Sequence, residues 1–225
     1  MKAEAKIAAL SVLVLQAGAQ AGLVGTMDDV LFWTGSGSNR AVLVIDWNDG
    51  KAAPGSEFGE SLAWGFRWPT GEARTGEQLV RAIDLADPRL DVAFDNHGGT
   101  TMFGVGYDLD GDGGTYTFDR ADEDGTATDS DDHFAEGWFN NGFWGYLKGS
   151  VSGNTRPPFT ESTGPFYNRI LTNGSWDAWS FTTDVDGTDG FFIPSPGVPL
   201  AAIPEPSTTL LVLLSGGLAA VRRRR

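Results

Sequence analysis

Ala41-Val-Leu-Val-Ile-Asp-Trp47 is the stretch that decides the fold. β-branched and aromatic side chains are restricted at χ1 and fit a pleated strand better than a helix. Two similar runs flank it, Asp29-Val-Leu-Phe-Trp33 and Leu62-Ala-Trp-Gly-Phe-Arg-Trp68. The segments between them, Gly35-Ser-Gly-Ser-Asn39 and Asn48-Asp-Gly50, carry turn chemistry. Asp49-Gly50 suits a hairpin turn, with Lys51–Gly59 lengthening the connection. A single helix follows at about 75–87. Thr75 caps it, Gln78 completes a capping box, and Leu79, Ala82, Ile83 and Ala86 form one apolar stripe ahead of Pro88. Further strands are expected at Leu90–Phe94, Met102–Tyr107, Gly137–Tyr146 and Trp176–Phe181, with loops across 108–134 and a long connection across 149–166. This order predicts an α+β, mostly β domain. It is an antiparallel sheet with one packed helix, long acidic loops and a short C-terminal hydrophobic helix. No internal repeat of fixed period is present.

Both ends of the 225-residue chain read as processing segments. Lys2 and Lys6 precede the apolar Ile7–Leu15, and Ala17-Gly-Ala19 and Ala19-Gln-Ala21 follow with the small-x-small pattern that signal peptidase cuts. Nine helical residues rise only about 14 Å, too short for a hydrocarbon layer of about 30 Å. Residues 1–21 are therefore expected to be a signal peptide for the Sec machinery. Residues 22–203 then form one extracytoplasmic, Trp-rich domain with 28 acidic against 10 basic side chains, a formal charge of −18. That surface repels phosphate backbones, which argues against a nucleic-acid partner. It suits a soluble exported protein or one that meets divalent cations. With no cysteine in the chain, stability must come from the core or from bound metal.

The last segment is built differently. Pro204-Glu205-Pro206 forbids a helix running back into the domain. Leu210–Val221 is apolar but reaches only about 18 Å as a helix. Arg222, Arg223, Arg224 and Arg225 form membrane-stop charges that stay cytoplasmic, placing the acidic domain outside. In this order, Pro-Glu-Pro, apolar helix and Arg cluster resemble the PEP-CTERM sorting signal of exported proteins in Gram-negative bacteria. The resemblance covers residues 204–225. It implies transient inner-membrane insertion as a transmembrane helix, processing by an exosortase, and delivery to the cell surface or extracellular matrix. About residues 22–203 it implies nothing.

The middle of the chain also resembles the transcobalamin-like C-terminal domain of some secreted bacterial proteins. The matching residues are Leu43–Asp49, Thr75–Ala86, Trp144-Gly-Tyr146 and Leu171-Thr-Asn-Gly-Ser-Trp176. The insertions at 51–60 and 108–134 exceed that pattern. The resemblance implies a β-grasp-like module that binds a small ligand such as a corrinoid.

The sharpest local chemistry is Asp108-Leu-Asp-Gly-Asp-Gly-Gly-Thr-Tyr-Thr-Phe-Asp119. Asp108, Asp110, Asp112 and Asp119 occupy positions 1, 3, 5 and 12 of a twelve-residue calcium loop, Gly113 the turn position, and Gly114 the carbonyl position 7. Alternate side chains converge on one point as such a loop wraps, and hard oxygen ligands suit Ca²⁺. Asp at position 12 reaches less far than Glu, and the flanks lack helical patterns, so no EF-hand pair is expected. Two readings stay open, a calcium loop on a β scaffold and a solvated Asp/Gly turn. Asp122, Glu123, Asp124, Asp129, Asp131 and Asp132 could add ligands, but such a run reads as a solvated loop, and the acids at 184–189 read as turns.

Enzyme signals are thin. The chain has two histidines, His97 and His133, and neither a Gly-x-Ser-x-Gly elbow nor a His-Glu-x-x-His helix. His133 with Glu136 offers a weak metal pair. Carboxylate pairs for attack on an exopolysaccharide carry little weight in so acidic a chain. Most of the eight tryptophans are expected in the core, with Trp68, beside Pro69, the candidate for stacking on a saccharide. The leading expectation is a non-catalytic surface or matrix protein, calcium-binding at the loop. A small-ligand-binding module (corrinoid or saccharide) is the alternative, and a hydrolase of exopolysaccharide the third reading.

Overall fold

The computed structural model describes residues 21–51, 60–96, 99–138, 140–183 and 193–204. Six strands form the path of the main sheet: Trp33–Gly35 (β1), Asn39–Asp46 (β2), Ser61–Trp68 (β3), Phe143–Gly149 (β9), Phe159–Glu161 (β10) and Ser175–Thr182 (β11). Their spatial order is β1-β3-β2-β11-β9-β10, and the short Leu200–Ala201 (β12) also pairs with β3. A second sheet holds Leu90–Asp95 (β4), Thr101–Tyr107 (β5) and His133–Glu136 (β8), and Tyr116–Thr117 (β6) and Thr126–Ala127 (β7) make a small ribbon. Among the described residues the one α-helix, α1, spans Gly76–Ala86.

The α+β, mostly β class with one packed helix is what the residue pattern predicts. Pairing is mixed rather than purely antiparallel. β2–β3 and β9–β10 are antiparallel hairpins, while β11 lies between them, antiparallel to β9 and parallel to β2. The order is thus hairpin, helix, hairpin and a final strand that enters the centre of the sheet. Residues 90–136 are inserted between its helix and its third strand.

The continuous apolar run of β2 has a direct physical reason. A strand covered on both faces loses its alternation. Leu43, Ile45 and Trp47 point to the front with Trp64, Phe66 and Trp179, beneath Leu79, Val80 and Ile83 of α1. Val42 and Val44 point to the back with Ala63, Trp176 and Ala178, beneath Val24, Met27 and Val30. The helix forms where Thr75 caps it: its side chain accepts from Gln78 N–H while Gln78 accepts from Thr75 N–H. Of the expected stripe, Leu79 and Ile83 are buried, Ala82 is partly covered, and Val80 takes the place of exposed Ala86.

Two strand expectations change. Asp29–Trp33 begins as a 3-10 turn at Met27–Asp29, because the Asp29 carboxylate accepts from Thr26 N–H at 2.7 Å and draws the chain round. Gly137–Tyr146 is split by a loop between β8 and β9. Glu123 reaches across to accept from the backbone N–H groups of Asn140 (3.0 Å) and Asn141 (2.8 Å), which fixes a turn there.

The described chain stays packed through Ile203, whose carbonyl accepts from Arg89. Among the described residues no helix is long and apolar enough to cross a membrane. Residues 1–20 of the expected signal peptide at 1–21 and the apolar tail beyond Pro204 lie outside the described residues, as does His97.

Candidate functional site

The Asp108 loop leaves the end of β5 and returns through the β6–β7 ribbon. Asp108 is buried, and its two carboxylate oxygens accept from Gly111 N–H (2.6 Å) and Gly113 N–H (3.0 Å). Gly111 and Gly113 have φ of 79° and 105°, a region open to glycine and strained for other residues. Gly113 thus serves the sharp turn expected of it.

Ligand-capable oxygens of Asp108, Asp110 and Asp132 all lie within 4.8 Å of one another. Asp132 is fully buried and stands 13 residues beyond the twelve-residue motif. It accepts from Leu109 N–H (2.9 Å) and Tyr116 O–H (3.0 Å), which ties the far end of the loop to its start. Asp112 is exposed beside this group, and the charge of Asp110 raises its pKa. Gly114 lies against the Asp132 carboxylate. Asp119 is not among the converging groups. Its Oδ1 instead accepts from Ala121 N–H (2.8 Å), starting the next turn. The strand pairing of the ribbon carries Asp119 away, whereas an EF-hand's second helix would bring position 12 back. The structure thus joins Asp108 and Asp110 as the spacing suggests and replaces Asp119 with Asp132. The residue pattern placed Asp132 only among acids that could add ligands, in a run read as a solvated loop; its proximity comes from pairing between β5 and β8. These three carboxylates offer hard oxygen ligands to a cation such as Ca²⁺.

His133 and Glu136 do not converge. Three residues apart on β8, they point to opposite faces of the strand. The fully buried His133 stacks on Trp47 with ring centroids 4.6 Å apart, and its Nδ1 lies 2.9 Å from Asp49 Oδ2. Glu136 accepts from Gly125 N–H at 2.8 Å, and burial raises its pKa.

Trp68 is not an exposed platform. Only 2% of it is accessible, and it stacks on Phe66 at 5.6 Å. Even spacing along β3 puts Trp64, Phe66 and Trp68 on the front face together. Trp33 and Trp138 are the tryptophans left partly exposed. The Arg67 guanidinium lies 4.4 Å over the Trp33 ring, and that of Arg120 5.2 Å over Trp138. Trp138, Phe143 and Trp144 line an apolar cavity of about 330 Å³, with Thr101 and Glu161 as its polar groups.

Residues 202–225 match the PEP-CTERM protein-sorting motif family. No curated protein and no solved structure matches the chain. The motif marks an exported protein sorted by an exosortase, with membrane-associated processing ahead of the surface. It starts at Ala202, whose N–H still donates to Ala63 O at 3.0 Å, so the sorting signal leaves the folded domain without an intervening spacer.

Proposed function

We propose that this chain is a non-catalytic protein of the bacterial cell surface or extracellular matrix, stabilised by Ca²⁺ at the Asp108 loop. The sorting motif at residues 202–225 carries the reading. The expected signal peptide brings it to the Sec machinery and signal peptidase. The tail inserts transiently in the inner membrane of a Gram-negative cell, and an exosortase processes it near Pro204, Glu205 and Pro206. Replacing that tripeptide with alanines is expected to leave the full tail on the chain, read by mass spectrometry of the surface fraction. Normal processing of the variant would defeat this part.

The calcium part is supported by the convergence of Asp108, Asp110 and Asp132. Ligand binding to the native state alone raises stability by mass action. Ca²⁺ is therefore expected to raise Tm in the wild type and not in Asp110→Asn, whose exposed side chain makes few structural contacts. Equal responses in both would remove calcium from the site.

A second reading, a small-ligand module of the transcobalamin-like kind, is supported by the hairpin–helix–hairpin strand order and by the Trp138 cavity. Apolar aromatic walls with a few polar groups suit a saccharide or another flat ligand. Quenching of Trp fluorescence by oligosaccharides or corrinoids, lost in Trp138→Ala, would support it. Flat titrations would dismiss it.

A further inference from the structure

Among the described residues, the exposed large apolar side chains are Leu23, Leu31, Leu85, Val151, Ile170 and Val198. Scattered singly, such residues are ordinary; gathered together, they mark a surface that meets something. Leu23, Leu31, Leu85 and Val198 gather where the sorting signal leaves the fold. There β12 lies along the edge of β3, and Ala202 N–H donates to Ala63 O at 3.0 Å. Leu23 stands opposite Leu200 in an antiparallel bridge. Val198 comes just ahead of Pro199, whose carbonyl accepts from Val24 N–H at 2.8 Å. Leu31 precedes Phe32, whose carbonyl accepts from Gly65 N–H (2.8 Å) a little further along the same β3 edge. Leu85, 88% exposed, sits in the last turn of α1. Just beyond it Asp87 holds Arg89 at 3.2 Å, and Arg89 donates to Ile203 O. The remaining two lie elsewhere. Ile170 bridges to Thr75 at the opposite end of α1, and Val151 belongs to the β9–β10 connection, across β2 and β11 from β3.

The chain beyond the fold decides what covers this face. Only Pro204 to Thr209 separate Ile203 from the apolar run that starts at Leu210. Fully extended, those residues reach about 20 Å. A domain the size of residues 22–203 is about 40 Å across. With the apolar run in a bilayer, the far side of the domain cannot be turned to the lipid. The exit face, by contrast, is held beside the headgroups, whose layer takes up about 5–7 Å of the tether. The expected signal peptide leaves from the same place, because Gly22 O accepts from Ala201 N–H at 2.9 Å.

Charge selects the kind of contact. The domain's formal charge of −18 repels anionic headgroups, so apolar side chains have to make the contact. Tethering raises the effective concentration of lipid at the face, so a modest apolar patch is enough.

We infer that the face carrying Leu23, Leu31, Leu85 and Val198 rests on the bilayer interface while the tail is inserted, and holds the domain in one orientation for processing. This rests on the tail insertion proposed above and adds the protein surface that meets the lipid.

The chain has no cysteine, so one introduced thiol labels one place. Full-length protein with a polar fluorophore at Leu85→Cys is reconstituted in phosphatidylcholine vesicles containing spin-labelled lipid. Flotation with the vesicles first reads whether the tail is inserted. In the floated protein the Leu85→Cys label is expected to be quenched, and labels at Ile170→Cys and Val151→Cys to be spared. Adding Leu31→Ser and Val198→Ser, both at exposed positions, should remove most of the quenching at Leu85→Cys and leave flotation unchanged. Equal quenching of all three labels in floated protein, or none, would overturn the face and leave the tail reading standing. Unaltered quenching in the serine variant would do the same. Protein that fails to float would remove the tail reading, and the face with it. Efficient disulfide cross-linking between Leu85→Cys chains in place of lipid quenching would put a second copy on this face and overturn the membrane contact.

Discussion

The main sheet and the acidic insert at 108–136 solve the same problem with opposite materials. In the main sheet, tryptophans and aliphatic residues fill both faces, and Leu43, Ile45, Trp47, Trp64 and Trp176 have no accessible surface. Burial of apolar area at about 25 cal/mol per Å² holds it. The insert buries less, a stack of Tyr116, Phe118 and Phe134 laid over Gly104 and Gly106 of β5. Its carboxylates supplement that small stack: Asp108, Asp119, Glu123, Asp132 and Glu136 each accept backbone N–H groups and fold loops around themselves. Apolar packing is non-directional and tolerates exchange of shape, whereas carboxylate-to-backbone bonds fix individual turns and leave residual charge. The difference teaches why unneutralised carboxylates concentrate in the insert and along its seam with the sheet, while the sheet itself is nearly all apolar.

The sharpest break of that contrast is Trp47→Ala. Trp47 packs on Trp64, Tyr107, His133 and Trp144, and its Nε1 donates to Val105 O at 3.1 Å, so it belongs to both regions. A loss of about 3–5 kcal/mol is expected by denaturant unfolding. A loss below about 1 kcal/mol would mean the two regions are not one cooperative unit.

Asp46 carries the insert's chemistry into the sheet. Burial pushes its pKa from 3.8 to about 6, against hydrogen bonds from the backbone of Asn48 and Gly197. A carboxyl group raised in the folded state binds its proton there more tightly than when unfolded. Its contribution to stability is therefore full below about pH 4 and is lost as pH rises to about 6. Asp84, also raised to about 6 by burial, acts with the same sign. Asp46→Asn should raise stability at pH 7 by up to about 3 kcal/mol and change little at pH 4. Parallel Tm–pH curves for the two proteins would contradict this.

Asp132→Ala tests the insert alone. Removing acceptors from Leu109 N–H and Tyr116 O–H should cost about 1–3 kcal/mol. Amide exchange should accelerate across 108–132 while β2 and β11 stay protected. Uniform acceleration would erase the distinction between the regions. The smallest effect is expected at Thr75→Ala, about 1 kcal/mol, since only the helix cap changes.

How much of this was legible varies by region. The strands around Ala41–Trp47 and the helix with its capping box were readable because propensity, periodicity and turn residues agreed there. The break at 137–142 was not, because Glu123, from another part of the chain, makes it. That Asp108 and Asp110 lie together was readable from loop spacing, but that Asp132 joins them and Asp119 lies apart was not, because the pairing of β5 with β8 decides which acid stands beside the loop. Trp68 was misjudged because proximity to a proline says nothing about which face a strand buries.

By itself the sequence determined the destination and the material. The sorting motif is a linear signal read without any fold, and the acid count and the absence of cysteine hold for any conformation. Only the tertiary structure decided the β11 insertion parallel to β2, the closure of the Asp108 loop by Asp132 and the turn that Glu123 fixes at Asn140 and Asn141. Each of these joins residues distant in the chain, and local energetics cannot specify a contact whose partner arrives through strand pairing.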